Sequence, residues 1–141
     1  MSEQVKNLIG TLVDFQVILE NKAVELKKLK EFKNVSRTSS FIGYPDEKYP
    51  SISSSLNADL SVPLKNDLHC LSFSFTFFPN KNNKWEIHSE LGWSSYDEGF
   101  VDNKLIEEEY ENLEGMLERI KPLTNELMKD LDIMIVMVQN G

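Results

Sequence analysis

The chain has 141 residues, 40% of them hydrophobic and 27% charged, with a net charge of −8 and one cysteine. This length can bury a core without metal or disulfide support, and the lone Cys70 has no second thiol to pair with, which suits a reducing compartment. The acidic balance excludes general nucleic-acid binding, because phosphate contacts need clustered Lys and Arg.

The opening residues Met1 to Lys6 lack a basic segment followed by an apolar run, so no secretory signal is expected. The longest apolar run, Ile133 to Val138, is far too short to cross a bilayer. The expectation is a cytoplasmic protein of one domain that touches neither membrane nor nucleic acid.

From residue 2 to about 33, Val5, Leu8, Leu12, Phe15, Leu19, Leu26 and Leu29 recur at steps of three and four, broken only at Lys22. That spacing predicts one long helix with a single apolar stripe, and Lys27, Lys28, Lys30 and Lys33 near its end complement the helix dipole. Residues 34–54 show little periodicity and contain Pro45 and Pro50, so they read as a long connection. Phe41, Ile42, Tyr44 and Tyr49 would hold it against the body.

Three strands are predicted next, over about 55–64, 69–78 and 84–93. In the first, Leu56, Ala58, Leu60, Val62 and Leu64 alternate with polar residues, and Pro63 confines that end to an edge or terminus. Asn66 and Asp67 supply the turn. In the second, Leu71, Phe73, Phe75 and Phe77 alternate with Ser72, Ser74 and Thr76. In the third, Trp85, Ile87, Leu91 and Trp93 keep the same phase. For both aromatic sets to share a face, the hairpin loop must have an odd count. A three-residue loop within Asn80 to Asn83, with a left-handed Asn, meets that condition.

Residues 94–102 read as a loop. Asp102 or Asn103 then caps a helix over 103–138, whose stripe Ile106, Tyr110, Leu113, Leu117, Ile120, Leu127, Leu131, Met134 and Val138 passes straight through a kink near Pro122. The β-branched run Ile133 to Val138 also admits a final strand. The fold class is therefore α+β, a two-layer α-β-β-β-α arrangement. A three-stranded antiparallel meander is covered on one face by two long helices, expected to pair antiparallel.

The strongest departure from an even surface is acidic. Eleven of the 23 carboxylates lie in the 33 residues from Glu86 to Glu118, against only Lys104. Glu107 and Glu108 near a helix start are partly explained by its dipole, and charge runs are commonly solvated faces. The functional alternative is a patch that docks a basic partner, speeding association and rejecting wrong partners. Its candidate residues are Glu86, Glu90, Tyr96, Asp97, Glu98, Phe100, Asp102, Glu107, Glu108 and Glu111, with Tyr96 and Phe100 as aromatic anchors. Trp93 keeps phase with Trp85 and belongs to the core.

Catalysis finds little support. His69 and His88 are the only histidines, and no Cys or His cluster has metal-ligand spacing. His69 and Cys70 are successive strand residues and point to opposite faces. No phosphate loop or nucleophile elbow occurs, so neither an enzyme nor a cofactor is expected.

The outline is small and acidic, with a helix, an aromatic meander and an acid-rich segment containing Trp93-Ser94-Ser95-Tyr96-Asp97-Glu98. It resembles the immunity proteins of bacterial polymorphic-toxin and contact-dependent inhibition systems. The resemblance implies an inhibitor that blocks a cognate basic toxin domain through an acidic patch; the sequence is compatible with a monomer or a homodimer. Size, acidity and the α-β-β-β-α opening are also similar to type III secretion chaperones, which implies a dimer binding an effector segment through apolar grooves. Those chaperones usually have further strands before a last helix, and a helix unbroken from Ile106 to Val138 departs from that pattern.

Overall fold

The structure is a computed structural model that describes residues 3–42, 51–64, 68–95 and 99–140. Its elements run α1 (Glu3–Lys27), β1 (Phe32–Ile42), β2 (Ser51–Leu64), β3 (Leu68–Pro79), β4 (Trp85–Ser95), β5 (Gly99–Tyr110) and α2 (Leu113–Asn140). The protein is α+β. Its two helices cover one face of a five-stranded antiparallel sheet in the order β1-β2-β3-β4-β5.

The predicted central meander is present, and each of its strands is longer than its periodicity indicated. Ile52, Ser54, Leu56, Ala58 and Leu60 of β2, Leu71 to Phe77 of β3 and Trp85 to Trp93 of β4 send alternate side chains into the core. The β3–β4 pairing sets Phe75 opposite Ser89 and Phe77 opposite Ile87. Asn80 N–H donates to the Lys84 carbonyl at 2.8 Å, leaving residues 81–83 as the loop, and Asn83 takes φ 59°. This is the odd-count hairpin with a left-handed Asn that the shared aromatic face requires. Pro63 falls where β2–β3 pairing loses regular register, between Asp59 and Leu64. The turn residues Asn66 and Asp67 lie outside the described residues.

Two strands replace what reads as connection and helix. The first helix stops at Lys27, not near residue 33. A turn closes with the Lys28 and Leu29 N–H groups bonded to the Glu25 and Leu26 carbonyls at 3.1 Å, and Phe32 is buried as the first residue of β1. Residues 34–42, expected within the connection, form the rest of β1 against β2 after a bulge at Asn34 (φ 51°). Tyr44, Pro45, Tyr49 and Pro50 lie outside the described residues.

The stretch 99–110 is β5, not loop and helix. Ile106 and Tyr110 are four residues apart, a spacing that a helix and a strand both place on one side, so the three-four pattern cannot tell them apart there. Helix α2 starts only at Leu113. Asn112, rather than Asp102 or Asn103, caps it, its Oδ1 accepting the Gly115 N–H at 2.8 Å. From there α2 is one helix through Pro122 to Asn140, so residues 133–138 are helical.

The core is the contact layer between sheet and helices. Phe15 of α1 meets Phe75 at 4.8 Å between ring centroids, and Phe75 meets Phe77 edge-on at 6.1 Å. Leu19 and Leu26 from α1 and Met116, Leu123, Leu127 and Leu131 from α2 are fully buried beside them. α1 lies over β1 and β2, α2 over β4 and β5. The helices run parallel, not antiparallel: Glu3 and Lys6 border the same groove as Glu114, while Lys22 pairs with Asp132. The cause is topological. Six chain reversals separate α1 from α2, and an even number restores the original direction.

Candidate functional site

Strand register decides which carboxylates act together. On the face that the helices leave open, Glu86 of β4 stands directly opposite Glu109 of β5, His88 opposite Glu107, and Glu90 opposite Leu105. Glu86, Glu90, Glu107 and Glu109 thus form one block on two adjacent strands. Lys104, the only Lys or Arg among these residues, sits opposite Leu91 on the helix side, where it pairs with Glu126 at 2.7 Å and Asp130 at 2.8 Å. It is turned away from the block and does not neutralise it.

Like charges directly opposed across two strands destabilise a sheet, and the chain carries a local device against that cost. The Asn80 amide donates to Glu86 at 2.9 Å and to Glu109 at 2.8 Å, while His88 Nε2 lies 3.0 Å from the other Glu86 oxygen. Asn80, and after it His88, hold the Glu86 carboxyl below its ordinary range, against a smaller opposing effect of burial. Lys84 borders the hairpin end, 3.2 Å from Glu111 and 3.7 Å from Glu109. Glu107 has no ion pair among the described residues. Phe78 packs edge-on against His88 at 5.1 Å and supplies an aromatic surface beside the acids.

The remainder of the open face changes character. Across β2 and β3 it presents Ser53, Ser55, Asn57, Ser72, Ser74 and Thr76, short uncharged side chains that need little ordering on contact. The one carboxylate of β2 on this face, Asp59, stands opposite Lys33 and accepts from the Asn34 amide at 3.1 Å, so the acid of the face is concentrated on β4 and β5.

Of the residues expected to form the patch, Glu86, Glu90 and Glu107 belong to the block. Glu111 stands just beyond β5 and is exposed, tied to Lys84. Glu108 does not belong. Strand alternation turns it to the helix side, where Arg119 of α2 and the Tyr110 hydroxyl bond it. Its role is to hold elements together. Tyr96, Asp97 and Glu98 lie outside the described residues, as do the side chains of Phe100 and Asp102, whose backbone belongs to β5. Glu109 is the member that sequence reasoning left out of the patch. The parity of 107 and 109 would have found it had β5 been read as a strand.

The sites considered for catalysis do not assemble. His69 and Cys70 are successive residues of β3 and face opposite sides of it. Burial is the largest influence on the Cys70 thiol and pushes its pKa up, which lowers its thiolate fraction. Among the described residues no group of three or more His, Cys, Asp and Glu is arranged to hold a metal.

An open groove of about 830 Å³ lies on the outside of the helix layer, between α1 and α2. Phe15 and Ile18 of α1 and Leu117, Ile120 and Pro122 of α2 form its apolar floor and wall, with Asp14, Glu118 and Lys121 at the rim. Pro122 has no N–H, so the Glu118 carbonyl loses its usual helical donor beside this groove.

No helix among the described residues is long and apolar enough to cross a membrane. Comparisons with protein-family models, with curated proteins and with solved structures find no match.

Proposed function

We propose that this protein is a protein-binding inhibitor, an immunity-type protein that docks a basic toxin domain on the acidic side of its open sheet face. The observation that carries the reading is the block Glu86, Glu90, Glu107 and Glu109, gathered on two neighbouring strands with the local Lys104 turned to the opposite side. A fold that keeps Glu86 against Glu109 bears a local cost, and local costs of that kind concentrate at functional sites. A negative block on an open face speeds encounter with a positive partner and rejects negative ones. Phe78 and His88 at its border provide the desolvated contact that charge alone does not.

The test is affinity capture with the tagged chain from its native host at low and high salt, repeated with the double variant Glu90→Lys, Glu107→Lys. A basic protein held at low salt, released at high salt and bound at least ten-fold more weakly by the variant supports the reading. Equal retention by both forms at both salt concentrations would sink it.

A secretion chaperone is the second reading, favoured by two observations. The helix that departed from the chaperone pattern is interrupted: β5 stands ahead of α2, so a further strand does precede the last helix. The apolar groove between α1 and α2 is also a surface on which an effector segment can lie. This reading predicts recovery of several secreted substrates by the same capture, insensitive to the charge reversals.

A further inference from the structure

The two edges of the sheet are built differently. An exposed edge strand invites pairing with another chain, and proteins normally guard it with charge, proline or a bulge. β5 is guarded, since Lys104, Glu107, Glu108 and Glu109 stand along it. β1 has its bulge at the start, between Lys33 and Ser36, and from Ser36 to Ile42 it runs in unbroken register with β2. That stretch contains no proline and no carboxylate. Its one charge, Arg37, is drawn toward α1 by Glu20 at 2.7 Å and by Gln16. Among the described residues, no strand pairs with the outer side of β1.

A second, independent feature lies above the same edge. Ile9, Val13 and Val17 recur every four residues along α1 and are 45%, 55% and 52% exposed. Val13 and Val17 border a hollow shared with Arg37 of β1, while Val17 also borders the groove toward α2, so this apolar stripe crosses the outer side of α1 above the unguarded edge.

We propose that this side of the molecule binds a second copy of the chain: the two β1 strands pair antiparallel about a twofold axis, and above them each α1 stripe packs against the other copy's α1, the two stripes meeting near Val17. The charge distribution selects this occupant. In a chain of net charge −8, pairing through β5 would set Glu107 to Glu109 against their own copies, whereas β1 from Lys33 to Ser40 carries Lys33 and Arg37 and no acid. The side chains are self-complementary. Pairing centred on Thr38 sets Thr38 against Thr38, Ser36 against Ser40, and Arg37 against Ser39. The first two are hydroxyl pairs of the kind the sheet already uses between Thr38 and Ser55 and between Ser53 and Thr76.

The spacing agrees as well. Strands are about 4.8 Å apart, so a helix centred over β1 and β2 has its axis about 5 Å from the twofold. The two α1 axes then come about 10 Å apart, within the range at which helices pack. A foreign extended segment would gain the same backbone bonds but would leave the Ile9, Val13 and Val17 stripe uncovered.

The experiment is sedimentation velocity on the full chain over a concentration series, with Val13→Glu, Thr38→Lys and, as control on the other edge, Leu105→Lys. All three positions are exposed, so each variant retains its core. A concentration-dependent dimer is expected. Val13→Glu and Thr38→Lys each shift its dissociation constant upward by at least ten-fold, while Leu105→Lys leaves it unchanged. As a second measurement, Thr38→Cys in a Cys70→Ser background yields a covalent dimer with a short thiol-specific linker, and Leu105→Cys does not. A chain that stays monomeric into the millimolar range overturns the proposal. So does a dimer broken by Leu105→Lys and untouched by the other two. The dimer stands or falls without reference to what the acidic face binds, because no residue tested belongs to that block.

Discussion

The Glu108 carboxylate takes two bonds from the Arg119 guanidinium, 2.8 Å from Nε and 3.2 Å from Nη2, and so fastens the edge strand β5 to α2. Glu107, one residue earlier, is exposed on the opposite face. The two neighbours should therefore respond oppositely to charge reversal. Glu108→Lys is expected to lower unfolding stability by about 1–2 kcal/mol, the upper part of the range discounted because solvent reaches both partners. Glu107→Lys leaves stability level or slightly raised, because it relieves the acidic block, and weakens partner capture. Urea unfolding of the two variants separates them, and equal losses of stability would contradict the assigned faces.

Asn80 joins the hairpin to the acidic block. Its Oδ1 accepts the N–H groups of Asn82 at 2.9 Å and Lys84 at 3.1 Å, and its amide nitrogen bridges Glu86 and Glu109. Asn80→Ala is expected to cost about 1–3 kcal/mol, since it removes loop bonds and exposes two facing carboxylates to each other. The Glu86 pKa rises toward its ordinary value in the same variant, a change that a carboxyl-resolved NMR titration reads directly.

Tyr110 titrates late. Burial, and next its bond to the Glu108 carboxylate, push its pKa up to about 12. A phenol whose folded pKa lies above its unfolded value of about 10 contributes stability that is complete below that value. The contribution is lost as pH rises through about 12. Absorbance titration of the folded chain should show one of its four tyrosines ionising last, and Tyr110→Phe should remove that component. A first-order loss of tertiary structure at pH 10, before this group ionises, would point to some other residue.

Pro122 interrupts the hydrogen-bond ladder of α2 on an exposed surface. Pro122→Ala restores a donor to the Glu118 carbonyl and is expected to raise stability by about 1–3 kcal/mol. Thermal unfolding checks this. A lowered melting temperature would mean that the ring's contacts in the groove outweigh the missing bond.

The elements whose burial follows one period were legible in the sequence, and those where two rules overlap were not. Phe73, Phe75 and Phe77 against Trp85 and Ile87 fixed both the hairpin and its odd loop, because a slip of one residue would turn every aromatic to water. β1 escaped notice because its middle, Ser36 to Ser40, is polar on both faces. Arg37 and Ser39, on the helix side, are satisfied by Gln16, Glu20 and Ser54 instead of by apolar contact, so no alternation survives to be read. β5 was hidden by the four-residue step from Ile106 to Tyr110, and the helical spacing of α2 made its stripe seem to begin ten residues early. The acidic patch suffered accordingly. Its composition was visible as a run, but the assignment of Glu108 and Glu109 to opposite faces depends on strand parity, which a helical reading erases.

The order β1-β2-β3-β4-β5 means that every strand pairs only with its neighbours along the chain, and so the whole sheet can zip up through short hairpin closures. The meeting of α1 with α2 is of another kind, since Lys22 and Asp132 lie 110 positions apart in the chain. Closing so long a loop is entropically costly before its contacts are made. We expect the helix-helix seam to form after the rate-limiting barrier. Removing the Lys22–Asp132 pair should then speed unfolding and leave refolding nearly unchanged, and a slowed refolding limb would place the seam in the nucleus instead.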